Sequence, residues 1–203
     1  MARKSPRREQ SEHRNSESLR ALNQCYSAVA RAVIVDRQPL REAWKLATRA
    51  QGLRDVRIDQ FESAIIGALS VEAELFGGDH YAQRLAESER AQLALSQLLA
   101  PRLVHVTGLA ARGLAPDTDV LELLLYVDEA EAVLRDLLDR QIDYQPDQRR
   151  WSIRRDGAEH IHPAILLGTP WMDASVALLP RQWERSPLYQ QGQAIWTSKL
   201  QTR

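Results

Sequence analysis

The chain has 203 residues, 44% apolar and 27% charged, enough for one large domain or two small ones with a real core. Lys+Arg and Asp+Glu balance at 27 each, which disfavours a dedicated nucleic-acid binder, since such proteins normally carry a basic excess. No apolar run approaches the roughly 20 residues that a bilayer crossing needs, so no membrane association is expected.

The N-terminus is basic, but no apolar stretch follows it as in a secretory signal. Cys25 is the single cysteine, which excludes an intramolecular disulfide framework. A soluble, cytoplasmic protein is the expectation. Residues 1–15 contain Arg3, Lys4, Arg7, Arg8 and Arg14 and little to bury. They are expected to form a disordered basic tail, and a solvated tail is favoured over a nucleic-acid contact.

Residues 16–100 read as a helical region. Leu19, Leu22, Tyr26, Val29 and Val33 recur at helical spacing behind Ser16 or Ser18 as N-cap. Cys25 beside that stripe reads as a small buried apolar residue. A second helix starts near Pro39, carries Leu40, Trp44 and Ala47, and stops near Gly52. A third starts near Ile58, carries Phe61, Ile65 and Leu69, and ends at Gly77-Gly78. Asp79 then caps a fourth helix that runs to about Leu99.

Beyond Pro101 the pattern changes to short apolar runs alternating with turns. Leu103–Val106 reads as a strand. Val120–Val127 is almost wholly apolar, as a strand covered on both faces would be. Asp128 and Glu131 suggest a capping box for a helix whose buried stripe is Ala130, Val133, Leu134, Leu137 and Leu138. Ile142–Tyr144 and Trp151–Arg154 read as strands around a Gln145-Pro146-Asp147 turn. Met172–Leu179 reads as a strand with Met172, Ala174, Val176 and Leu178 on one face and Asp173, Ser175 and Ala177 on the other. The fold class is therefore α+β, with the N-terminal helical region followed by a small mixed-sheet domain over residues 101–203.

The stretch VHVTGLAARGLAPDTDVLELLLYV carries the chemical signal. Gly108 directly after a strand lets backbone N–H groups approach a phosphate. A carboxylate at the start of the next strand can hold Mg²⁺ against that phosphate, as in-line nucleotidyl transfer requires. Nine residues separate Leu109 from Asp119.

This layout resembles the DNA polymerase β-like nucleotidyltransferase superfamily, especially its minimal bacterial members. The family pattern is a strand, Gly-Ser, often Arg-Gly, roughly ten residues, then Asp-x-Asp. Gly108, Arg112-Gly113 and Asp117-Thr118-Asp119 stand at matching positions, and Asp173 at that of a third carboxylate on a later strand. RSPLYQQGQAIW looks like the family's closing segment, so the resemblance covers roughly residues 102–196. It implies nucleoside triphosphate binding by Gly108, Arg112 and Gly113. It also implies Mg²⁺ held by Asp119 and Asp173 as catalytic and metal residues, with an acceptor hydroxyl attacking the α-phosphate.

Two positions depart from the pattern. Leu109 replaces the serine, and Leu121 falls where the second Asp of the pair would lie; neighbouring Glu122 points to the opposite face of a regular strand. The expectation is a nucleotidyltransferase-like protein, nucleotide-binding, with weakened or lost Mg²⁺-dependent transfer. The alternative is a non-catalytic protein-interaction scaffold or antitoxin-like accessory protein, in keeping with minimal family members that work beside a helical partner.

Other residues carry weaker signals. His160 and His162 would share a strand face, but no third ligand completes a zinc set, and exposed loop histidines are expected. His105 reads as a packed or edge residue. Arg149, Arg150, Arg154 and Arg155 around Trp151 admit phosphate grip and base stacking, or a solvated hairpin with a half-buried tryptophan. Trp171, Trp183 and Trp196 read as packing residues.

Overall fold

The computed structural model describes the backbone of residues 6–53, 56–191 and 193–200, and side chains from Leu19 onward. It divides into two compact units, meeting between Gly78 and Asp79.

The first unit is helical. α1 spans Pro6–Ile34, α2 Leu40–Ala50 and α3 Glu62–Phe76, with a short 3-10 turn, Ile58–Phe61, leading into α3. α1 therefore starts ahead of the serine caps read from the sequence, inside the segment expected to be disordered; residues 1–5 of that segment lie outside the described residues. Cys25, Val29 and Val33 line one stripe of α1, four residues apart, and all are buried. Leu19, assigned to the same stripe, is 62% exposed. α2 answers with Leu40, Ala43, Trp44 and Ala47, the i, i+3, i+4, i+7 spacing of one helical face. The Trp44 ring packs against Tyr26 and Phe61, and its indole N–H donates to the Val56 carbonyl at 3.0 Å. Cys25 is fully buried, and burial pushes its thiol pKa up. It is the packed residue the sequence suggested.

The second unit joins α4 (Gly78–Leu98) to a mixed six-stranded sheet. The sequence placed α4 with the helical region. Its Ala91 and Leu95, with Leu99 just beyond, instead pack in one core with Val104, Val106, Leu121 and Leu123. The strands are β1 (Val104–Thr107), β2 (Val120–Val127), β3 (Gln145–Trp151), β4 (His160–Leu167), β5 (Asp173–Pro180) and β8 (Thr197–Lys199), in the order β3-β4-β5-β2-β1-β8. Two short strands, β6 (Tyr189–Gln190) and β7 (Gln193–Ala194), form a separate ribbon. β2 and β5 run parallel, while β1–β2, β1–β8, β3–β4 and β4–β5 are antiparallel.

α5 (Ala130–Asp139) lies between β2 and β3 in the chain. Its N-cap is Glu129 without a side-chain cap bond, not the Asp128 capping box. Val133 and Leu137 are buried, but Leu138 is 63% exposed, because the stripe turns away from the core there. The Gln145-Pro146-Asp147 turn is also overturned. These residues open β3 and pair with Leu166, Ile165 and Ala164 of β4.

The sheet has two different faces. Leu121, Leu123 and Leu125 of β2 join Ala174, Val176 and Leu178 of β5 in the core that α4 and α5 cover. The other face gathers Leu124, Ala177 and Leu179 with Trp151, Trp183 and Leu188. β2 and β5 are thus covered on both sides, which is why both read as nearly unbroken apolar runs.

Candidate functional site

β1 ends at Thr107, and Gly108 starts a 3-10 turn that runs to Arg112. Gly108 has φ +66° and Gly113 φ +74°, the left-handed region that favours glycine. A Cβ on either would meet nothing within 4 Å. Backbone conformation, not crowding, therefore demands glycine at both positions.

The turn is closed from within the same unit. The Gly108 N–H donates to the Trp196 carbonyl at 3.0 Å. The Arg112 guanidinium lies 5.9 Å from the Trp196 ring centroid and donates to the Thr197 carbonyl at 3.3 Å. Leu109, next to Gly108 in the turn, is 2% exposed.

Asp119 sits one residue before β2. Arg84 of α4 reaches it, with Nη1 3.1 Å from Oδ1, while Nη2 donates to the Pro116 and Thr118 carbonyls at 3.0 and 2.9 Å. The Ala115 N–H adds a bond to the Tyr81 hydroxyl at 3.1 Å. α4 thereby ties down the turn carrying Asp117-Thr118-Asp119. Nothing in the sequence announced Arg84, because its partner is 35 positions away.

The register of β2 and β5 decides which carboxylates share a face. Val120 pairs with Asp173, Leu121 with Ala174 and Glu122 with Ser175. Paired residues of parallel strands project to the same side. Leu121 is 1% exposed in the helix-covered core. Glu122 and Asp173 both face the opposite side. Asp119 instead turns to Arg84, so the structure does not bring Asp119 and Asp173 onto a common set of contacts. Among the described residues, no three His, Cys, Asp or Glu side chains stand together as a metal-holding group.

A polar row crosses the Glu122 side of the sheet. The Thr107 hydroxyl lies 3.4 Å from Glu122 Oε2. Arg149 Nε donates to Ser175 Oγ at 3.1 Å, and its Nη2 lies 3.0 Å from Asp147. Trp151 is 2% exposed among Leu124 and Leu179, so the base-stacking role read for this hairpin is not open to its ring.

The histidine pair expected in an exposed loop is placed otherwise. His160 and His162 both lie on β4, and His162 is 8% exposed against the Trp183 ring, with centroids 4.6 Å apart. Burial holds its pKa below the usual histidine value, with a push from His160. His105 is 5% exposed and meets Tyr126 edge-on at 5.0 Å. It is packed, as its position suggested.

The fold and this site define an α+β protein built on a glycine turn between two antiparallel strands, with a third strand parallel to the second. No helix among the described residues is long and apolar enough to cross a membrane. No protein-family model matches the chain, and no curated protein matches it either.

Proposed function

We propose that this chain is a nucleotidyltransferase-like protein that has lost Mg²⁺-dependent transfer and acts by binding. One observation carries the reading. Leu121, at the position of the family's second carboxylate, is buried on the helix-covered side of the sheet. A two-metal site needs both acidic residues of the Asp-x-Asp pair, two positions apart, to hold the attacking and leaving oxygens. The engagement of Asp119 by Arg84 and of Gly108 by Trp196 supports the same reading. The exposed Val71, Leu75 and Phe76 of α3 favour a protein partner as the bound species.

The test is calorimetry with ATP, GTP, CTP and UTP, each with Mg²⁺, beside an assay for transfer of label from the α-phosphate. No transfer is expected. Transfer that disappears in Asp119→Ala would overturn the proposal. Binding without transfer identifies the occupant as a nucleotide, and no binding leaves the scaffold role.

A second reading is favoured by the register. Glu122 and Asp173 share a face, and a divergent enzyme would use that pair. It requires transfer that survives Asp119→Ala and is abolished by Glu122→Gln.

A further inference from the structure

The carboxyl ends of β2 and β5 open onto a pocket of about 480 Å³. It lies at the end of the sheet opposite the glycine turn. Crevices outside the carboxyl ends of parallel strands are where open α/β sheets place ligands. Its apolar lining includes Leu103, Val127 and Val133. Polar groups converge at one end, namely His105, Tyr126 and Glu184.

Charge decides what fits. Two arginines line the pocket, and both are already matched. Arg102 Nη1 is 2.7 Å from Asp136 and Arg181 Nη1 is 3.3 Å from Asp128. Glu129 has no ion-pair partner among the described residues. Glu184 is paired through Oε1 with Lys199 Nζ at 3.4 Å. A second observation points to a ligand. His105 Nε2 is buried and makes no hydrogen bond, although its side chain is only 7% exposed. Glu184 Oε1 lies 3.9 Å from it, too far for a hydrogen bond, and Lys199 stands opposite His105 on β8. Burial, with Lys199 nearby, lowers the His105 pKa against the pull of Glu184. The lowered pKa favours the neutral imidazole, whose Nδ1-protonated tautomer presents a lone pair at Nε2.

We propose that this pocket binds a small organic ammonium, a primary amine with a short aliphatic tail. One –NH₃⁺ group can donate to His105 Nε2 and to the Glu184 carboxylate together, since it carries three donors. The Tyr126 ring borders the same spot and adds cation–π attraction. The tail lies along Leu103, Val127 and Val133. The site is independent of the nucleotidyltransferase reading, because none of the glycine-turn residues line it.

The test is a titration of the full ¹⁵N-labelled chain with n-butylammonium chloride, n-butanol and sodium butyrate at matched ionic strength. Amide shifts of Leu103, Tyr126 and Val133 and the His105 ring nitrogens are followed. Saturable shifts are expected with butylammonium, and butanol should bind about tenfold more weakly, the worth of one charge-assisted contact. Glu184→Gln should weaken butylammonium binding by about tenfold, and Glu129→Gln, at an exposed position, by roughly twofold. Equal response to butanol or butyrate, or no saturation below about 50 mM, overturns the proposal. So does unchanged affinity in Glu184→Gln. If that variant does not fold, unchanged affinity in Glu129→Gln overturns it.

Discussion

Arg84 holds Asp119 at 3.1 Å, with the same guanidinium bonded to the carbonyls of Pro116 and Thr118. The side chain of Arg84 is 16% exposed and that of Asp119 is 96% exposed. The contact therefore ties the turn through its carbonyls more than through the ion pair, which water screens. Arg84→Ala should cost about 1–2 kcal/mol for two hydrogen bonds to backbone. Asp119→Ala should cost clearly less. Urea midpoints of the two variants check the order, and an equal or larger loss in Asp119→Ala would refute it.

Leu121→Asp tests the strand assignment. The residue is 1% exposed among Val104, Leu123 and Ala174, and a carboxylate there has no partner. A loss of at least about 3 kcal/mol is expected. Millimolar MgCl₂ should not restore the midpoint. Recovery with Mg²⁺ would mean that position 121 reaches a metal site.

Gly108→Ala and Gly113→Ala should each cost about 1–2 kcal/mol, the penalty for a Cβ in the left-handed region. Space is open at both positions, so the two losses should be similar. A much larger loss at either, measured by thermal unfolding, would show crowding that the structure does not contain.

Stability should fall as the pH drops below the ordinary histidine value of 6.5. His105 and His162 both have lowered pKa values, chiefly through burial. Between the folded and unfolded pKa values the unfolded chain binds more protons, so acid favours unfolding. Asp136 acts in a separate window. The hydrogen bond from Arg102 holds its pKa below 3.8, so its contribution disappears only as the pH falls below that value. Urea midpoints from pH 7 to pH 5 should decline, and His105→Gln with His162→Gln should flatten that decline. A flat wild-type profile would be the contrary result.

Much of the second unit was legible in the sequence. β2 was read with its observed ends, and the two faces of β5 were assigned correctly, because period-two alternation follows directly from strand geometry. The Pro146 region was misread. Pro-Asp is turn chemistry locally, but pairing with β4 overrode that preference. α4 was assigned to the wrong unit, because a helical stripe reports that a face is buried and not which partner buries it. His162 was expected in a loop, and only the packing against Trp183 reveals its burial.

The sequence by itself determined an α+β chain, a glycine turn between two strands and a leucine rather than a carboxylate at position 121. Each is a local property of residue type and spacing. Only the tertiary structure decided that Arg84 captures Asp119, that Trp196 takes the Gly108 amide, and that Glu122 rather than Leu121 shares the face of Asp173. Those relations join residues 35, 88 and 51 positions apart in the numbering of the chain. Contacts at such separations depend on strand order and register, which no local pattern encodes.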